Sequence, residues 1–129
     1  MGRNSIQRRV DNPPQTHLKG MAHELRFLDR ANASIWLFPT SRGHVARLFD
    51  GTHYRGELPI TEAQLQAAVD GASIALEHEG HVLIIEPDML AYRVTWRPAK
   101  GKGFVDVVTQ SELQRASDAI SSKSLQEFS

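Results

Sequence analysis

Arg93, Thr95 and Arg97 alternate along one stretch and run directly into Pro98-Ala-Lys-Gly-Lys-Gly103. Residues two apart on a strand share a face, so two guanidinium groups and a hydroxyl would stand side by side, with Lys100 and Lys102 on a loop at their end. Guanidinium groups grip phosphates in a fixed fork and stack on bases, and glycines let backbone amides approach a phosphate oxygen. A weaker copy occupies the corresponding part of the first half: Arg42 in Thr40-Ser-Arg-Gly43, then Arg47, Tyr54 and Arg55. Arg93, Arg97, Lys100, Lys102, Arg42, Arg47, Tyr54 and Arg55 are the residues expected to touch a polyanion. The competing reading is a solvated sheet face that ends in a glycine turn.

Other chemistry is thinly represented. His78-Glu-Gly-His81 could converge two imidazoles across a turn, but nothing marks a third ligand, so it reads as a turn that contains histidines. His44 and His53 are expected in approximate cross-strand register. Glu77, Glu79, Glu86 and Asp88 are spaced as turn and strand-edge solvation rather than as paired catalytic acids. There are no cysteines, and no nucleophile with its base or phosphate-binding fingerprint is present. The expectation is a non-catalytic protein without metal or cofactor. Among the aromatics, Tyr92 and Trp96 read as core and Tyr54 as surface. Trp36 and Phe38 alternate with Ile35 and Leu37, so one of those pairs would face a partner subunit in a homodimer.

These residues need elements to hold them, and one helix-opening stretch occurs twice. Ile60-Thr-Glu-Ala-Gln-Leu65 and Val108-Thr-Gln-Ser-Glu-Leu113 each offer a threonine N-cap, a Gln64 or Glu112 side chain to return to the cap, and an apolar staple. Gly71 is placed to stop the first helix after Asp70. Strands are expected at 22–29, with Leu25 and Phe27 inward, and at 34–39, 44–49, 53–58, 72–77, 81–86, 90–97 and 104–108, with Leu90, Tyr92, Val94 and Trp96 on one face. Asp50-Gly51 and Glu79-Gly80 mark hairpins. The chain therefore reads as four strands and a helix, used twice: an α+β fold of antiparallel sheet and two helices. One domain would span 21–129, with repeats at about 22–71 and 72–121. Residues 1–20, polar and containing Pro13-Pro14, read as a flexible tail, and Met21 as a candidate start.

The 129 residues carry 15 basic and 15 acidic side chains, a net charge of zero, which argues against a surface that grips a polyanion all over. The charges are nonetheless segregated. Residues 91–105 hold Arg93, Arg97, Lys100 and Lys102 without an acid, whereas 61–90 hold six acids without a base. No apolar run approaches the roughly 18 residues of a membrane helix, so the expectation is a cytoplasmic protein with no membrane partner.

The order of elements across residues 22–121 resembles that of the single-strand-binding families of the Whirly, transcription coactivator and Pur type. That resemblance implies curved sheets that present basic and aromatic residues to single-stranded DNA or RNA; it rests on element order and carries no family residue with it. The alternative is a protein-interaction module, such as an adaptor, inhibitor or immunity-like protein, acting through the Trp36 strand or the acidic hairpin.

Overall fold

The structure is a computed structural model that describes residues 22–29 and 32–126. The tail expected at 1–20 lies outside the described residues. Four strands, β1 (His23–Leu25), β2 (Ala33–Thr40), β3 (Gly43–Asp50) and β4 (His53–Ile60), lead into α1 (Glu62–Val69). Four more, β5 (Ile74–His78), β6 (His81–Asp88), β7 (Ala91–Arg97) and β8 (Phe104–Thr109), lead into α2 (Gln110–Gln126). Each set forms an antiparallel sheet in sequential order. The fold is thus α+β, with a tandem arrangement of four strands and a helix.

Alternation decides which side of each sheet is core. In the first, Ile35, Leu37, Ala46, Leu48, Leu58 and Ile60 point inward and are buried. In the second, Leu83, Ile85, Tyr92, Val94, Trp96 and Val108 do the same. Leu65, Ala68 and Val69 of α1 and Leu113, Ala116 and Ile120 of α2 complete one continuous cluster. Trp96 is fully buried, as its strand-mates predict.

The helices exchange partners between the halves. α1 follows the first sheet but packs on β5 and β6 of the second, while α2 packs on β1 and β2 as well as β8, and the two helices pack on each other. Three polar contacts tie the same seam. Tyr92 donates its hydroxyl to the Val69 carbonyl at 2.9 Å, Ser117 bonds Gln66 at 3.0 Å, and the Leu28 amide donates to the Val107 carbonyl at 2.8 Å.

The helix signals are met in one copy and diverted in the other. Thr61 accepts from the Gln64 amide at 3.1 Å and Gln64 returns to the Thr61 amide at 2.8 Å, a complete capping box. At the far end Gly71 takes a φ of 103°, and its amide and that of Ala72 bond back to Ala68 and Ala67, so the helix stops where glycine allows a left-handed residue. Thr109 likewise caps the Glu112 amide at 3.0 Å. The Glu112 carboxylate does not return to the cap, as its spacing predicts; it accepts the Arg26 amide at 3.1 Å and Arg115 at 2.9 Å. Glu112 is buried, and the chain after β1 offers it a donor that water would otherwise have to supply.

Several boundaries differ from the sequence expectation. The first strand is only His23–Leu25, and β5 starts at Ile74 rather than at 72. Leu90 does not share the Tyr92 face: Met89 and Leu90 form the β6–β7 turn, and both are almost fully exposed. Strand β3 runs through Asp50, so the turn is Gly51-Thr52 and Asp50 pairs with His53. His44 consequently lies opposite Ile60 rather than His53. The Glu79-Gly80 hairpin forms as its residues predict, with φ of 52° and 88°, the two left-handed positions of a type I′ turn.

Candidate functional site

Two of the expected basic sets meet where the sheets abut. Strand β4 carries an irregularity: Leu48 pairs with Gly56, Phe49 with Tyr54, and Arg55 is the extra residue between them. A bulge of this kind re-aims the side chain it releases. Arg55 leaves the sheet face and spans the junction, donating to the Lys100 carbonyl at 3.0 Å and to Asp50 at 3.4 Å. His81 of β6 holds the same loop from the other side, its Nδ1 accepting the Ala99 amide at 3.0 Å.

Two glycines make this approach possible. Gly56, at a φ of 141°, lies against the His81 imidazole so closely that a Cβ there would overlap the ring, and a Cβ on Gly101 would overlap the Arg55 guanidinium. The result is a cleft of two adjoining hollows. One, of about 360 Å³, is lined by Tyr54, Arg55, His81, Ala99, Lys100 and Gly101. The other, of about 130 Å³, shares Arg55 and adds Asp50, Lys102 and Phe104 among its walls.

Beside the cleft, the outer face of the first sheet is aromatic. Trp36 and Phe38 of β2 and Phe49 of β3 stand half-buried on it, with Tyr54 54% exposed at its cleft end. Phe49 and Tyr54 meet edge to face with centroids 5.8 Å apart, and the Trp36 indole donates to Ser34 at 3.1 Å. Arg47 lies 4.5 Å above the Phe38 ring and donates to Glu57 at 2.8 Å. Tyr54 donates to the same carboxylate oxygen at 3.3 Å. Partial burial, and then the Glu57 charge, push the Tyr54 hydroxyl above its ordinary range, so at neutral pH it is a donor. Residue type alone assigns these rings mostly to the core. The signal that marks them as a surface is that β2 is apolar on both faces.

The remaining expected residues are elsewhere. Arg93 is on the outer face of the second sheet between two acids, 3.3 Å from Asp88 and 3.7 Å from Glu86. Arg97 is exposed at the end of that face nearest the cleft. Arg42 is in the β2–β3 turn, at the opposite end of the first sheet from Asp50. Tyr54, Arg55, Lys100 and Lys102 are therefore brought together, Arg47 is committed to Glu57 and Phe38 beside them, and Arg42, Arg93 and Arg97 are apart. Among the described residues no group of His, Asp and Glu is placed to hold a metal ion, and no helix is long and apolar enough to cross a membrane.

By its fold and cleft the chain belongs to the class of α+β proteins built from two sheet-and-helix halves around one core. No known family's sequence profile matches it, and no relative is found among curated proteins.

Proposed function

We propose that this is a non-catalytic protein that binds single-stranded nucleic acid, with phosphates at the junction cleft and bases on the outer face of the first sheet. One observation carries the reading: Arg55 from the first half and Lys100 and Lys102 from the second border one cleft, and Tyr54 joins that cleft to an aromatic surface. Cations supply affinity for the backbone, and exposed rings supply stacking that only unpaired bases can reach. A duplex hides its base faces, so the aromatic surface favours the single strand. Asp50 and Glu57 neutralise part of the positive charge, which fits a zero net charge and points to modest, salt-sensitive affinity.

The test is fluorescence anisotropy with a labelled mixed-sequence strand and its duplex at two salt concentrations. The strand should bind more tightly, and the joint Lys100→Ala and Lys102→Ala change should reduce the salt slope by about 1.4, roughly 0.7 for each phosphate no longer neutralised. Trp36→Ala should weaken binding by about 1 to 3 kcal/mol if a base stacks there, whereas Arg93→Ala, whose guanidinium is held by two acids, should leave it unchanged. Absence of binding at low salt would end the reading.

A further inference from the structure

The outer face of the first sheet carries one charged row among its rings. Trp36 of β2 lies opposite Arg47 of β3, and Arg47 lies opposite Glu57 of β4, so three side chains stand abreast on neighbouring strands. Glu24 of β1, opposite Trp36, ends the row. Phe38 is the diagonal neighbour of Arg47, and the guanidinium carbon lies 4.5 Å over its ring centre. Arg47 Nε donates to Glu57 Oε1 at 2.8 Å, and Tyr54 donates to the same oxygen at 3.3 Å. The guanidinium is thus held on one face by a ring and along one edge by a carboxylate that a second donor fixes. Its side chain is still 37% exposed.

Charge decides what such a group takes. The cleft sets Arg55, Lys100 and Lys102 against Asp50 and the Glu79 charge that reaches Tyr54, and a positive surplus remains for phosphates. On the outer face Arg47, and Arg26 exposed just past the end of β1, meet Glu24 and Glu57, and no surplus remains. A phosphate would gain little from a guanidinium that a carboxylate already answers at 2.8 Å, and Glu24 and Glu57 would repel it. A flat, neutral base meets neither obstacle. The guanidinium is planar, weakly hydrated and stacks on π-systems, and every base has a π-face. We infer, on the single-strand reading proposed above, that Arg47 is a base-stacking residue, its guanidinium sandwiched between Phe38 and a base of the strand, with Glu57 as the positioning residue that keeps it there. Trp36 beside it takes the adjoining base. Residue type marks Arg47 as a phosphate contact; its place in the row gives it the role of a ring.

Anisotropy titrations of the full chain with the labelled mixed-sequence strand, repeated over a range of salt, separate stacking from charge. Arg47→Lys keeps the charge and loses the plane. Affinity should fall roughly five-fold or more, as when one stacked base is lost, while the salt slope stays that of the parent. A phosphate contact would behave the other way, because lysine serves a phosphate as a point charge. Glu57→Gln raises the net charge, which by itself would tighten binding to a polyanion. With Arg47 no longer held, binding should instead weaken, and the same change made in the Arg47→Lys chain should lose nothing further. Both positions are more than a third exposed, so circular dichroism should match the parent in each variant. An Arg47→Lys chain that binds as tightly as the parent, a salt slope that falls with its affinity, or a Glu57→Gln chain that binds more tightly would overturn the inference and leave the single-strand reading standing. A parent chain that binds no strand at low salt would end both.

Discussion

At the scale of single residues, two positions in this chain are fixed by what lies against them rather than by their own strand. Gly56 sits under the His81 ring with a φ that side chains rarely adopt. Gly56→Ala should therefore destabilise the protein by roughly 2 to 5 kcal/mol, from backbone strain and overpacking together. Urea denaturation would measure it, and His81→Ala in the same chain should recover only the packing part. His23 is the second. Its Nε2 is buried 3.6 Å from Glu112, too far for a hydrogen bond, and burial outweighs the carboxylate's pull to hold the imidazole below its ordinary 6.5. The unfolded chain then takes up this proton more readily than the folded one, so the contribution is complete above about pH 6.5 and lost as pH falls through the lower folded value. Melting temperatures between pH 7.5 and 5 should fall less steeply in His23→Gln than in the parent. Neither effect is legible in sequence, because both depend on neighbours at least 25 residues away. The burial of Trp96 and exposure of Tyr54 are legible, since each follows from the residues beside it on its own strand.

At the scale of elements, the repeated helix-opening stretch predicts two caps, which form, and two equal capping boxes, of which one does. A cap is local: threonine and the amide three residues on suffice, and Thr61→Ala should cost about 1 kcal/mol. The return bond is local only when the side chain has no better partner. Gln64 is exposed and closes its box, while Glu112 is buried and turns to the Arg26 amide. Gln64→Ala should consequently cost under about 1 kcal/mol, whereas Glu112→Ala, which removes a charge-accepting partner from a part-buried amide, should cost about 2 to 3 kcal/mol. Chemical denaturation of the two variants side by side checks the difference. The basic residues follow the same logic. Alternation puts Arg93, Thr95 and Arg97 on one face correctly, but the acids that hold Arg93 come from the neighbouring strand β6, and the bulge that sends Arg55 to the Lys100 loop leaves no mark in residue type. The candidate cleft is visible in the sequence as two half-sets; their meeting is not.

At the scale of the molecule, the two halves exchange helices, and this has a consequence for what can fold alone. The buried side of α1, Leu65, Ala68 and Val69, lies against the second sheet, and Tyr92 of that sheet holds the Val69 carbonyl. The buried side of α2 lies against β1 and β2, where Glu112 fastens the chain after β1. Cutting between Gly71 and Ala72 would therefore leave each sheet without one of its covering helices, α1 without β5 and β6, and α2 without β1 and β2. A fragment of about 50 residues also has little core to spare. Residues 22–71 and 72–126, made separately, should each lack a cooperative thermal transition. Mixed in equal amounts, they should recover one, with circular dichroism approaching that of the intact chain, because the missing helix arrives with the other half. A monomeric 22–71 fragment that melts cooperatively would show instead that α1 can turn back onto its own sheet. The tandem order legible in the sequence would then describe two domains side by side, and the helix exchange would be incidental to stability rather than its source.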